Sequence, residues 1–192
     1  MAEPTTVFRV IPQTTATTAV DTAAERLAAI SGQSIVSTGD GNEVDFGTID
    51  TSSGAANSTV KTILWGVTAD GGNTVCEDFR FYAIQIDFGQ AASVLKLRAL
   101  SGADKGSPSL TQNYVANGVV ASYTWVDLPE SLPASQNLYP SDEGTGMALS
   151  TTSDDVIMFA LYVAVAANES TGTYKGTTSG RGLQFGFRYS YS

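Results

Sequence analysis

From residue 44 onward the chain alternates apolar and polar positions with a period of two, the spacing of a strand that buries one face. Runs of this kind fall at 44–49, 60–67, 79–88, 94–100, 119–126, 155–165 and 183–191. The last is the most regular. Leu183, Phe185, Phe187, Tyr189 and Tyr191 take one side, and Gln184, Gly186, Arg188 and Ser190 the other. The run at 155–165 is apolar on both sides, which predicts a strand in the middle of a sheet covered on both faces. Between the runs stands turn chemistry: "DGGN" at 70–73, "SGADKGSPS" at 101–109, "PESLPASQNLYPSDEGTG" at 129–146 and "NESTGTYKGTTSGRG" at 168–182. Short strands joined by irregular loops predict an all-β fold, an antiparallel β-sandwich over 43–192. The loops at 129–146 and 168–182 are longer than hairpins need, which marks them for contact with a partner.

Residues 1–42 follow another pattern. "VFRVI" at 7–11 is a short β-capable run stopped by Pro12, and a Thr-rich stretch with little to bury follows it. "DTAAERLAAISG" at 21–32 carries helix signals: Thr22 and Glu25 fit a capping box, Ala24, Leu27 and Ala28 share a face, and Gly32 suits the stop. The pattern predicts an N-terminal arm with one short helix. A first strand and helix packed on the same domain is the competing reading. Val7, Phe8, Val10 and Ile11 lie outside the sandwich pattern, so they are candidates for an interface between copies of the chain.

Charge narrows the function. Of 192 residues only 15% are charged, and the net charge is −9. Ser, Thr, Gly and Asn supply the polarity instead, as on many surface-exposed β-proteins. Ten scattered Lys and Arg form no basic stripe, so neither nucleic acid nor an anionic membrane is an expected partner. Cys76 is the one cysteine, which excludes a disulfide within the chain. The start, "MAEPTTVFRV", has no basic n-region and no apolar h-region, so synthesis in the cytoplasm without Sec export is expected. The longest apolar run, at 156–167, is too short for a membrane-spanning helix.

Candidate chemistry is sparse. The chain has no histidine, which removes the Ser-His-Asp and Cys-His schemes and leaves zinc short of ligands. Asp40, Asn42 and Asp45 sit close together as calcium ligands do, but Val44 and Thr51 occupy positions where a calcium loop places oxygen donors. Glu77-Asp78, Asp142-Glu143 and Asp154-Asp155 are adjacent pairs, whose side chains point oppositely in a strand and cannot face one another as a glycosidase needs. No catalytic residue, metal or cofactor is expected. Tyr139 and Tyr174, on the two long loops, are the aromatic side chains placed to stack on a sugar or a partner surface. Asn57-Ser58-Thr59 and Asn168-Glu169-Ser170 match the glycosylation acceptor pattern, which has no use without export.

The stretch "VDFGTIDTSSGAANSTVKTILWGVTADGGNTV", 44–75, resembles the start of bacterial and phage immunoglobulin-like domains: a V-D-F-G strand, a Gly/Ser turn, "K-T-I", an aromatic strand and a further turn. In overall character the chain is similar to the accessory capsid proteins of tailed bacteriophages, called decoration or cement proteins. That resemblance implies an immunoglobulin-like or jelly-roll β-sandwich without enzymatic activity, sited on the capsid surface of the virion. It implies the major capsid protein as partner and a homo-oligomer, a trimer, as the assembled form. Two alternatives stand beside it: a carbohydrate- or receptor-binding head- or tail-fibre module, and a tail-tube or tail-completion protein.

Overall fold

A computed structural model describes residues 1–11, 34–35, 44, 46–100, 124–140, 146–149, 156–174 and 182–192. Ten strands lie among them: β1 (Thr5–Ile11), β2 (Ser34–Ile35), β3 (Ala56–Asn57), β4 (Lys61–Ala69), β5 (Val75–Ile86), β6 (Val94–Leu100), β7 (Val126–Asp127), β8 (Gly146–Ala148), β9 (Ile157–Val165) and β10 (Leu183–Tyr191). Every pairing is antiparallel. The larger sheet runs β2-β1-β4-β9-β6-β7, with β3 also on β9, and the smaller runs β10-β5-β8. The described residues are thus all-β, and none of them is helical.

The two sheets share one apolar core. Ile63 and Trp65 of β4, Phe159, Leu161 and Val163 of β9, and Leu95 and Leu97 of β6 meet Cys76, Phe79, Phe81 and Ala83 of β5 and Met147 of β8. Ring contacts bridge the layers: Trp65 to Phe79 at 5.5 Å, Phe81 to Phe159 at 4.6 Å and Phe8 to Phe187 at 5.2 Å between centroids. Strand β9 is the spine. Its odd-numbered residues enter this core, while Met158, Ala160 and Tyr162 join Leu64, Val60 and Val156 in a second cluster on the other face. Burial on both sides is what a nearly continuous apolar run predicts, and β9 shows it.

Strand β1 corrects the expectation of an arm. Thr5–Ile11 pairs along β4 from Thr5↔Ala69 to Ile11↔Thr62 and carries β2 on its other edge, so it is an inner strand of the larger sheet. Phe8 packs into the shared core and Val7 against the second cluster. The run reads as an outlier because its partner strand lies more than fifty residues away, and period-two patterning carries no information about pairing at that distance. The helix expected at 21–32 lies outside the described residues, as do 101–123. The strand expected at 44–49 does not form among the described residues of that segment: Gly47 takes φ +77°, which breaks an extended run, although Phe46 is buried and Ile49 packs on the core.

Strand β5 begins four residues before its expected start, at Val75. Asp78 takes φ +59°, and two β5 residues there oppose one on β10, so the inward-facing phase shifts by one between Cys76 and Phe79. A bulge of this kind hides a strand from a period-two reading. Between β3 and β4, Ser58 bridges an interruption in a similar economy of parts. Its N–H donates to the Val163 carbonyl at 2.9 Å, and its Oγ accepts the Val163 N–H at 2.9 Å, in place of a backbone carbonyl.

The strand directions define two ends. At one, called here the near end, the "DGGN" turn carries the chain from β4 in the larger sheet to β5 in the smaller. Gly71 and Gly72 both take positive φ, and the Gly72 N–H donates to Asp70 Oδ1 at 2.9 Å. Both termini close on this turn. The Ala2 N–H donates to the Gly71 carbonyl at 3.0 Å, Asn73 Nδ2 donates to the Ala2 carbonyl at 2.6 Å, and the Ser192 carbonyl accepts from Thr74 and Val75. At the far end lie the loops that follow β5 and β9 and the one that precedes β10.

Candidate functional site

The far end is the one place where the described loops are drawn onto a single charged group. Glu169 stands in the loop after β9, next to Asn168, whose φ of +64° turns the chain back. Its Oε1 accepts the Gly89 N–H at 2.7 Å, the Ser170 N–H at 3.0 Å and the Tyr174 hydroxyl at 3.1 Å. Its Oε2 accepts the Gln90 N–H at 3.0 Å and the Ser93 hydroxyl at 2.6 Å. Ser93, itself buried, passes the tie on, because its Oγ also accepts the Ala166 N–H at 3.0 Å. One carboxylate therefore fixes 89–93 and 166–174 to each other. Burial pushes the Glu169 carboxyl up, but the hydrogen bonds from Ser93, Gly89, Gln90 and Ser170 outweigh it and hold the group at about 2. The ring of Tyr174 packs on Phe88 at 5.3 Å. Close by, Asp87 Oδ2 accepts the Gly182 N–H at 2.8 Å and so ties the approach to β10 into the same end.

The second long loop is equally committed to the fold. Asn137 reads the edge of β5 as a strand would: its Oδ1 accepts the Phe81 N–H and its Nδ2 donates to the Phe81 carbonyl, both at 2.8 Å. The Pro129 carbonyl accepts from Ala83, Leu138 is fully buried, and Pro140 bridges to Ile157 in the larger sheet. Arg80 lies across the loop, donating to the Pro133 carbonyl at 2.9 Å and pairing with Asp78 at 2.8 Å.

The residues singled out from the sequence separate into three groups. Phe8 and Val7 are packing residues of β1, and Val10 and Ile11 occupy register positions opposite Ile63 and Thr62. These four belong to the larger sheet as residues of β1 rather than to a segment outside it. Tyr174 has its hydroxyl on Glu169 and Ser170 and its ring on Phe88, a role inside the loop. Tyr139 remains a surface aromatic, 38% exposed between two anchored residues. The three do not converge on one place. Asp40, Asn42, Asp45, Asp142, Glu143, Asp154 and Asp155 lie outside the described residues. Among those described, no three metal-ligating side chains gather. Cys76 is buried, and burial pushes its thiol up to about 11, which keeps it protonated at neutral pH.

Sequence reasoning passed over Glu169. It appears there only as the middle residue of an acceptor pattern, in a loop of Gly, Ser and Thr. The available signal is an isolated acid among small residues whose N–H groups are open to it, and that signal is weak. Searches of known protein families, curated proteins and solved structures found no match to the chain.

Proposed function

We propose that the chain is a non-enzymatic structural protein of a phage virion, which decorates the capsid and stabilises it by bridging major capsid proteins. The observation that carries this reading is the far end built on Glu169, whose two loops are fixed before any partner arrives. A preorganised surface loses little conformational freedom on association, so more of the contact energy remains as affinity. Adhesion repeated over a shell gains from that economy. Each copy would lie across a joint between shell subunits and bury about 1,600 Å² in total, the usual size of a stable interface. The two-sheet body then belongs with β-sandwiches of the immunoglobulin-like or jelly-roll kind, and the sparse charge of its surface suits a particle exterior.

Capsids lacking the chain test the reading. Purified protein is expected to bind them and raise their melting temperature in calorimetry. A second reading, a carbohydrate-binding module, is favoured by the exposed ring of Tyr139 on an anchored loop. Indifference to capsids, together with polysaccharide binding that Tyr139→Ala abolishes, would overturn decoration in its favour.

A further inference from the structure

Among the described residues, the smaller sheet ends on β10. β10 pairs with β5 along one edge, and among the described residues nothing pairs with the other. An edge of this length is a template for another strand, and proteins usually blunt it with proline, lysine, inward charges or bulges. β10 uses none of these. Its nine residues contain no proline, no lysine and no acid, with Arg188 as the one charge. Both register shifts in the β5–β10 pair put the extra residue on β5, at Ile84 and at Asp78–Phe79, so β10 itself runs regular.

The core is also open on this side. On β5 the inward residues Cys76, Phe79, Phe81 and Ala83 are buried, whereas Phe185, Phe187 and Tyr189 across from them on β10 are only half-buried and Tyr191, opposite Cys76, is exposed. Apolar surface therefore remains along the edge, where a neighbouring strand would cover it.

We infer that β10 is the contact between two copies of this chain, joined edge to edge and antiparallel about a two-fold axis at Phe187, so that two three-stranded sheets become one of six. The sequence is self-complementary in that register. Phe187 meets Phe187 of the second copy, Tyr189 meets Phe185 and Tyr191 meets Leu183 on the core side; Arg188 meets Gly186 and Ser190 meets Gln184 on the outer side. The two copies of Arg188 lie diagonal rather than opposed, which spares a like-charge pair. Charge also favours this edge: two chains of net −9 approach best where the strand holds a cation and no carboxylate. The inference goes beyond the virion reading and needs no capsid.

Sedimentation equilibrium of the full chain tests it, with a pair of variants that also test the register. The wild type is expected to be a dimer; a monomer or a trimer overturns the inference. Gln184 and Ser190 point outward, so both positions accept lysine without entering the core. Gln184→Lys with Ser190→Lys sets lysine opposite lysine twice across the axis and is expected to raise the dimer dissociation constant about tenfold. Gln184→Glu with Ser190→Lys sets lysine opposite glutamate, keeps a glutamate away from Glu77 on β5, and is expected to restore it. Circular dichroism checks that each variant folds. A dimer untouched by the double lysine, or one that the lysine–glutamate pair fails to restore, refutes the Phe187-centred edge.

Discussion

The two ends of the molecule are closed by different means. At the near end the bonds run mostly between backbone groups: Ala2 to Gly71, and Thr74 and Val75 to Ser192, with the Asn73 amide completing the tie. A single bond in that group, from Gly72 to Asp70, ends on a carboxylate. At the far end six donors from two loops converge on Glu169. A distributed closure fails by local steric insult and ignores protons. A convergent one survives small insults and fails when its centre is changed. The same chain therefore carries one end governed by backbone conformation and another governed by charge.

The sharpest way to break the near end is Gly71→Ala. Gly71 takes φ +65°, and a methyl there would lie 2.5 Å from the Ala2 carbonyl oxygen. Left-handed backbone and a clash with main chain together should cost about 3 kcal/mol, read as a lowered midpoint in urea unfolding. Hydrogen exchange should speed at 71–75 and stay unchanged at 89–93. A variant as stable as the wild type would show that the terminus is not fastened there.

Removing the centre of the far end comes next. Glu169→Ala should destabilise by about 2 kcal/mol, because the N–H groups of Gly89 and Gln90 and the Ser93 hydroxyl lose their acceptor while water reaches some of them. The exchange pattern should invert, fast at 89–93 and unchanged at 71–75. Glu169→Gln keeps the shape but turns one acceptor oxygen into a donor amide and loses the charge, for an expected cost of about 1 kcal/mol. If Gln proves as harmful as Ala, geometry rather than charge governs the loops.

Acid makes the same comparison without mutation. The Glu169 carboxyl is held at about 2 in the folded chain, against an ordinary value of 4.5. A lowered folded value means that its stabilisation is complete above about 4.5 and is lost as pH falls towards 2. Urea midpoints should therefore drop over that window, and the drop should shrink in Glu169→Gln. The smallest effect belongs to Ser170→Ala. Its hydroxyl makes a 3.2 Å bond to a carboxylate that five other donors still satisfy and a 2.9 Å contact with the Tyr174 hydroxyl, which keeps Glu169 as a partner, so the change should stay within about 0.5 kcal/mol.

What could be read from the sequence follows this division. β6 and β10 match their predicted bounds and β9 falls within its own, because each is an uninterrupted run whose burial imprints directly on residue type. β5 was shortened by a bulge that resets the phase at Asp78. Pattern alone leaves β1 open between an arm and a packed strand, because membership depends on a partner, β4, that nothing in "TTVFRVI" specifies. The far end was legible only as a loop. A carboxylate chosen to receive backbone N–H groups leaves no pattern in composition, since any loop contains such groups. Asn137 is the same case: its amide substitutes for a strand partner of Phe81, and a lone Asn in a Pro-rich loop reads as turn chemistry.

The convergence of both chain ends on residues 71–75 has a topological consequence. Ala2 and Ser192 each bond within a few residues of one another, which places them within ~15 Å by the reach of that segment. A bridge of a few glycines and serines from Ser192 to Met1 would make the backbone a ring without disturbing either sheet. New ends cut between Ala91 and Ala92, both exposed, would then give a circular permutant with every described strand intact. In that rewired chain the order of synthesis changes while the architecture stays, and the loop pinned by Glu169 becomes the place where the polypeptide starts and stops.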